Sequence, residues 1–178
     1  MLKTLLPGLA LTLLAAPVAA QQTAAPAIDP KWMTVDSAAK RVTFELIAGQ
    51  TPMNGGLNFN GFKDGDLTFV VPAGWSVAVN FTNRDGNLPH SVQVVPDKQP
   101  LPLRAVEPAI TGAESKNADQ GTATGGAKDR FQFVANPPGS YILFCAVAGH
   151  GMGGMWVRLR VDGAARMPSM IATPATGR

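Results

Sequence analysis

The sequence is poor in the residues that usually carry chemistry. Its 178 residues include one cysteine, Cys145, and two histidines, His90 and His150. A lone cysteine excludes an internal disulfide, so the fold has to be held by its core. Charged residues are 15% of the chain, the net charge is +3, and no basic run exceeds Lys40-Arg41. That charge is too small and too scattered for a nucleic-acid footprint. Beyond residue 20 no apolar run approaches the roughly 20 residues of a membrane span. No long stretch carries a convincing helical repeat either.

What is present begins with a leader. MLKTLLPGLALTLLAAPVAA has an early lysine, an apolar centre from Leu5 to about Ala16, and small residues Val18 and Ala20 before Gln21. Residues 1–20 are expected to be a signal peptide cleaved near Ala20, leaving the protein periplasmic or otherwise exported. An uncleaved N-terminal anchor is the other reading of this stretch. Loss of Lys3 with the leader lowers the net charge from +3 to +2. The rest suits one domain with a sizeable core.

Residues 21–40 are expected to be a flexible lead. QQTAAPAIDP is rich in Ala and Pro, and KWMTVDSAAK supports at most a first turn or short helix. From Val42 the apolar residues recur with period two: Val42, Phe44 and Leu46, then Leu67, Phe69 and Val71, then Trp75, Val77, Val79 and Phe81. Each set is one buried face of a strand. Further strands are predicted from His90 through HSVQVV and over 130–134, 140–147 and 155–161, with a short candidate through Leu57 and Phe59. Residues 96–128 hold four prolines and four glycines without periodicity. A loop this long in a compact domain is usually functional or mobile. Residues 163–178 are expected to be a flexible tail, so the domain proper spans 41–162. Eight or so short strands with Gly and Pro punctuation argue for an all-β, antiparallel sandwich.

The chemistry concentrates in CAVAGHGMGGM, from Cys145 to Met155. Thiolate, imidazole and thioether are the donor set of copper electron-transfer sites, in which two His and one Cys form a plane and a Met sulfur lies weakly on the axis. His90 is the one histidine left to complete that plane. Glycines at 149, 151, 153 and 154 allow a tight loop to fold its donors toward one point. Met152 is also a thioether near His150, but Gly153-Gly154 is placed to turn the chain toward Met155, which is the preferred axial donor. Ser91 is a candidate to donate its backbone N–H to the Cys145 sulfur. Trp32, Trp75 and Trp156 read as core residues rather than electron relays. Asp64-Gly65-Asp66 reads as a turn, since a calcium loop needs further oxygen ligands at fixed spacing.

CAVAGHGMGGMW, with LPHSVQVV upstream and the NFNG turn at Asn58 to Gly61, resembles the sulfocyanin group of cupredoxins, small blue (type 1) copper proteins also related to rusticyanin. The similarity runs from about Gly56 to Val161 and departs at Leu57, where an aromatic is common. Archaeal members of the group are usually tethered to a membrane. The resemblance implies a Greek-key β-sandwich with the 96–128 loop inserted, one copper ion, equatorial ligands His90, Cys145 and His150, and axial Met155. It also implies one-electron transfer rather than catalysis, through the edge of His150 within an apolar patch formed by Ala146, Val147, Ala148, Met152 and Gly153. The expected protein is a monomer docking a c-type cytochrome or a terminal oxidase. Two other uses of these donors stay open: copper storage or delivery, and a hydrolase with Cys145 as nucleophile and His150 as base.

Overall fold

A computed structural model describes residues 27–173. The leader and its cleavage point lie outside them. Nine strands are described: β1 (Met33–Asp36), β2 (Arg41–Ala48), β3 (Leu67–Pro72), β4 (Ser76–Asn83), β5 (Gln93–Pro96), β6 (Ala127–Val134), β7 (Gly139–Phe144), β8 (Trp156–Asp162) and β9 (Ser169–Ala172). They form two sheets, ordered β1-β2-β4-β6 and β5-β7-β8-β3-β9. From β2 to β7 every connection crosses from one sheet to the other. Neighbours within a sheet are therefore often distant in sequence, and two pairs, β2 with β4 and β3 with β8, run parallel. The purely antiparallel sandwich expected from strand spacing is corrected to this mixed arrangement, because pairing direction follows the crossovers, which alternation does not encode.

Period-two faces build the core between the sheets. Val42, Phe44, Leu46 and Ala48 of β2 are buried with Val77, Val79 and Phe81 of β4, facing Leu67, Phe69 and Val71 of β3 and Val157, Leu159 and Val161 of β8. Phe44 and Phe69 meet across the gap with ring centroids 4.3 Å apart. Burying each such side chain contributes about 1.5–3 kcal/mol, which compensates for the missing disulfide.

The two ends assigned to flexible segments both carry strands. Trp32 is buried under a short 3-10 turn, and β1 pairs with β2. At the other end β9 pairs antiparallel with β3, and the Thr173 N–H donates to Asp66 O at 2.7 Å. Neither strand was legible as a domain element, since four-residue edge strands bury too few side chains to show a pattern.

Residues 97–126 contain no strand, but they are bonded in place. Thr122 and His90 exchange backbone bonds of 2.7 and 3.3 Å, the Ser115 N–H donates to Val92 O while its hydroxyl accepts the Val92 N–H, and the Val94 N–H reaches Ala113 O. Gln93 fixes the segment from below: its side chain holds both backbone groups of Val106 and the Glu114 carboxylate. Leu101 and Ala118 pack on Val95, Ile142, Phe144, Ala146 and Trp156, a second small core on the outer face of the β5-β7-β8 sheet. The strand expected to begin at His90 begins at Gln93, because this segment bonds the backbone of His90 and Val92 while the Ser91 N–H turns to Cys145 Sγ.

Candidate metal centre

Two loops at one end of the sandwich deliver the donors. Cys145 follows the last residue of β7, and its N–H donates to Met155 O at 3.0 Å, closing the loop to β8. Within that loop the Met155 N–H donates to His150 O at 3.1 Å, which ties His150 to the end of the loop. Gly154 takes φ +94°, and a Cβ there would lie 2.8 Å from Asp64 Oδ1, so only glycine fits. The loop is also clamped from outside. Asn54 Nδ2 donates to Gly153 O at 2.7 Å and to Leu57 O at 3.0 Å.

The NFNG turn has a comparable mechanical role. Asn60 exchanges side-chain bonds with Ile47 N–H and Glu45 O of β2, while Asn58 Nδ2 donates to Thr51 O and Met53 O. These amides satisfy backbone groups that no strand partner reaches. The turn seats residues 49–57 beside the ligand loop. The Asp64-Gly65-Asp66 stretch is the turn expected, with Asp64 and Gly65 at positive φ and the Asp66 N–H bonded to Lys63 O.

Three of the four expected donors converge. His90 Nδ1 and His150 Nδ1 are 3.2 Å apart, and Cys145 Sγ lies 3.7 Å from the first and 3.5 Å from the second. A point equidistant from the three atoms lies about 2 Å from each, the length of a metal–imidazole bond. Among the described residues this is the one His/Cys/Asp/Glu group with ligand-like spacing. Cys145 and His90 are fully buried and His150 is half-buried. Met155 is fully buried at the loop's end, whereas Met152 is 59% exposed.

The surroundings are polar where the donors need it. Ser91 N–H points at Cys145 Sγ at 3.4 Å, as anticipated, and the Ser91 hydroxyl links Ala118 O to the Ala146 N–H. Burial pushes the Cys145 thiol up to about 11, against the pull of the Ser91 and Val147 N–H groups. Burial likewise lowers both imidazoles, so the rings are held neutral with lone pairs available. The residue that sequence reading missed is Asp85. Its carboxylate Oδ2 lies 3.0 Å from His90 Nε2, and its Oδ1 accepts the N–H groups of Asn87 and Leu88. An Asp-Gly pair reads as a turn, and nothing in its spacing announces that the side chain faces inward.

Trp32, Trp75 and Trp156 are all buried, in keeping with core roles, and Trp156 lies under the Arg158 guanidinium, 5.1 Å from its ring centroid.

Two β-sheets packed face to face, with a His-Cys-His group at one rim whose spacing suits a single copper ion, define a cupredoxin, the class of the blue copper proteins. Within that class, the sulfocyanin (SoxE) domain model matches residues 30–172, and the chain belongs to that family. A sulfocyanin from Sulfolobus acidocaldarius is 31% identical over 130 residues, covering 69% of this chain and 65% of the archaeal protein's own length. Among solved structures, rusticyanin is similar at 22% identity, covering 74% of this chain and 87% of its own, with a TM-score of 0.45. Auracyanin A from Chloroflexus aurantiacus matches at 21% identity over 68% of this chain and 99% of its own, with a TM-score of 0.48.

Proposed function

We propose that the protein is an exported one-electron carrier and that His90, Cys145, His150 and Met155 would hold its copper ion. The observation that carries this reading is the donor triangle, 3.2 to 3.7 Å on a side. Copper bound there would supply a Cu(I)/Cu(II) couple. The chain's own part is to hold the donors in one arrangement for both oxidation states. Ser91 assists by donating its N–H to the sulfur, which tempers the thiolate's donation.

Electrons leave by the His150 edge, the half-exposed side of the group. Around it Val147, Ala148 and Met152 are joined by Leu103, which is 58% exposed and whose carbonyl accepts the Gly149 N–H. A monomer docking a c-type cytochrome or a terminal oxidase through this apolar rim fits transient transfer, for which contacts below about 1,200 Å² suffice. The leader supports export, with cleavage near Ala20. Among the described residues no helix is long and apolar enough to cross a membrane.

Copper delivery would need exposed, labile donors, and here two of the three in-plane residues are fully buried. Hydrolysis would need a reachable thiolate, and burial holds the Cys145 proton on. Protein purified from its native compartment should contain one copper per chain and show intense thiolate-to-copper absorption. Cys145→Ser should lose both the colour and the narrow copper hyperfine splitting in EPR. A fully coloured Cys145→Ser variant would overturn the assignment.

A further inference from the structure

We infer that Asp85 is a positioning residue for the metal centre: its carboxylate fixes the His90 ring with Nδ1 free before copper arrives, and its negative charge then favours Cu(II) over Cu(I). This rests on the proposed copper site.

A carboxylate facing an imidazole nitrogen at 3.0 Å can only accept, so Nε2 carries the proton. Nδ1, the atom that meets Cys145 and His150, is thereby left with its lone pair. The carboxylate itself is locked. Asn83 Oδ1 accepts the Asp85 N–H, the turn N–H groups of Asn87 and Leu88 hold Oδ1, and a Cβ on Gly49 would come within 2.8 Å of Asp85 Cβ. Its side chain is only 9% exposed, and its one ionic partner among the described residues is His90, while Arg84 beside it faces solvent. With His90 neutral on the metal, no cation offsets this charge except the metal ion. The charge lies across one imidazole ring from the donor atom, and low exposure limits its screening.

The test compares wild type with Asp85→Asn and Asp85→Ser, with Glu107→Gln as an exposed charge-removal control. Asn keeps the shape, but its amide cannot both accept from the turn and accept from Nε2–H without presenting NH₂ to one of them. Ser keeps a short acceptor for the turn and removes the charge. Long-range ¹H–¹⁵N NMR on the copper-free proteins should show His90 protonated at Nε2 in wild type and shifted toward the Nδ1–H form in Asp85→Asn. Voltammetry on the copper-loaded proteins should show a raised potential in both Asp85 variants. That rise corresponds to a relative loss of Cu(II) over Cu(I) affinity on the order of 10- to 50-fold, the scale of one unit charge about 7 Å away at an effective dielectric near 20. Glu107→Gln should leave both readouts unchanged. Asp85 variants that fold, as judged by unaltered amide spectra of the β-sheets, with wild-type tautomer and potential would overturn the inference. Asp85 variants that do not fold would also overturn it, since the residue would then be needed for the fold itself. If the copper reading were wrong, wild type itself would bind no copper in a blue form, a different failure from an Asp85 variant matching a blue wild type.

Discussion

In the proposed copper site a single methionine would decide the character of the axis, and two candidates stand three residues apart. Met155 is fully buried and backbone-bonded to both Cys145 and His150, whereas Met152 points to solvent. A thioether favours Cu(I) relative to a harder oxygen donor. Met155→Gln should therefore lower the reduction potential, and Met155→Leu, which leaves an apolar wall, should raise it. Film voltammetry should find both changes silent at Met152; shifts at Met152 with a silent Met155 would reverse the assignment. The clustering of His90, Cys145 and His150 was legible because the chain holds so few of their kind: one cysteine and two histidines leave little choice. Asp85 was not legible, since carboxylates are common and its inward aim is set by backbone bonds inside the turn.

Strands with one buried face were readable, and segments that bond without alternating were not. β2 and β4 announce themselves through period two, and their registers run parallel over eight residues. Residues 97–126 look like a structureless loop because their order comes from irregular backbone bonds and from buried polar side chains, Gln93 chief among them. Gln93→Ala should therefore remove three bonds and leave both backbone groups of Val106 unpaired. The expected loss is about 1–3 kcal/mol, measured by denaturant unfolding of the copper-free protein. Amide exchange should quicken selectively in residues 103–118. Uniform acceleration across both sheets would mean that the segment is not a separate unit hung on Gln93.

For the molecule as a whole, the site sets a pH window. In the copper-free protein both histidines sit below their ordinary 6.5 through burial, so the unfolded chain binds more protons as pH falls through 6.5 and stability drops. Cys145, raised by burial from 9.0 to about 11, works from the other side: the unfolded thiol ionises first as pH rises past 9.0, and stability is lost toward 11. Its share is on the order of 2–3 kcal/mol. Thermal unfolding of copper-free protein should thus give a plateau between about pH 6.5 and 9, falling on both sides, with the alkaline fall abolished in Cys145→Ala. A wild-type alkaline limb that persists in that variant would assign it to other groups.

The alternation of strands between sheets also governs when the metal centre can exist during folding. His90 and Cys145 are 55 residues apart and meet when β5 pairs with β7 in one sheet, although β6, between them in the chain, belongs to the other. Topologies dominated by such distant pairings fold slowly, because loop closure precedes the contacts that reward it. The bonds that draw the donors together include Ser91 N–H to Cys145 Sγ, Met155 N–H to His150 O and the contact of Asp85 with His90. A change that slows the pairing of β5 with β7 should therefore delay the appearance of the donor group as well.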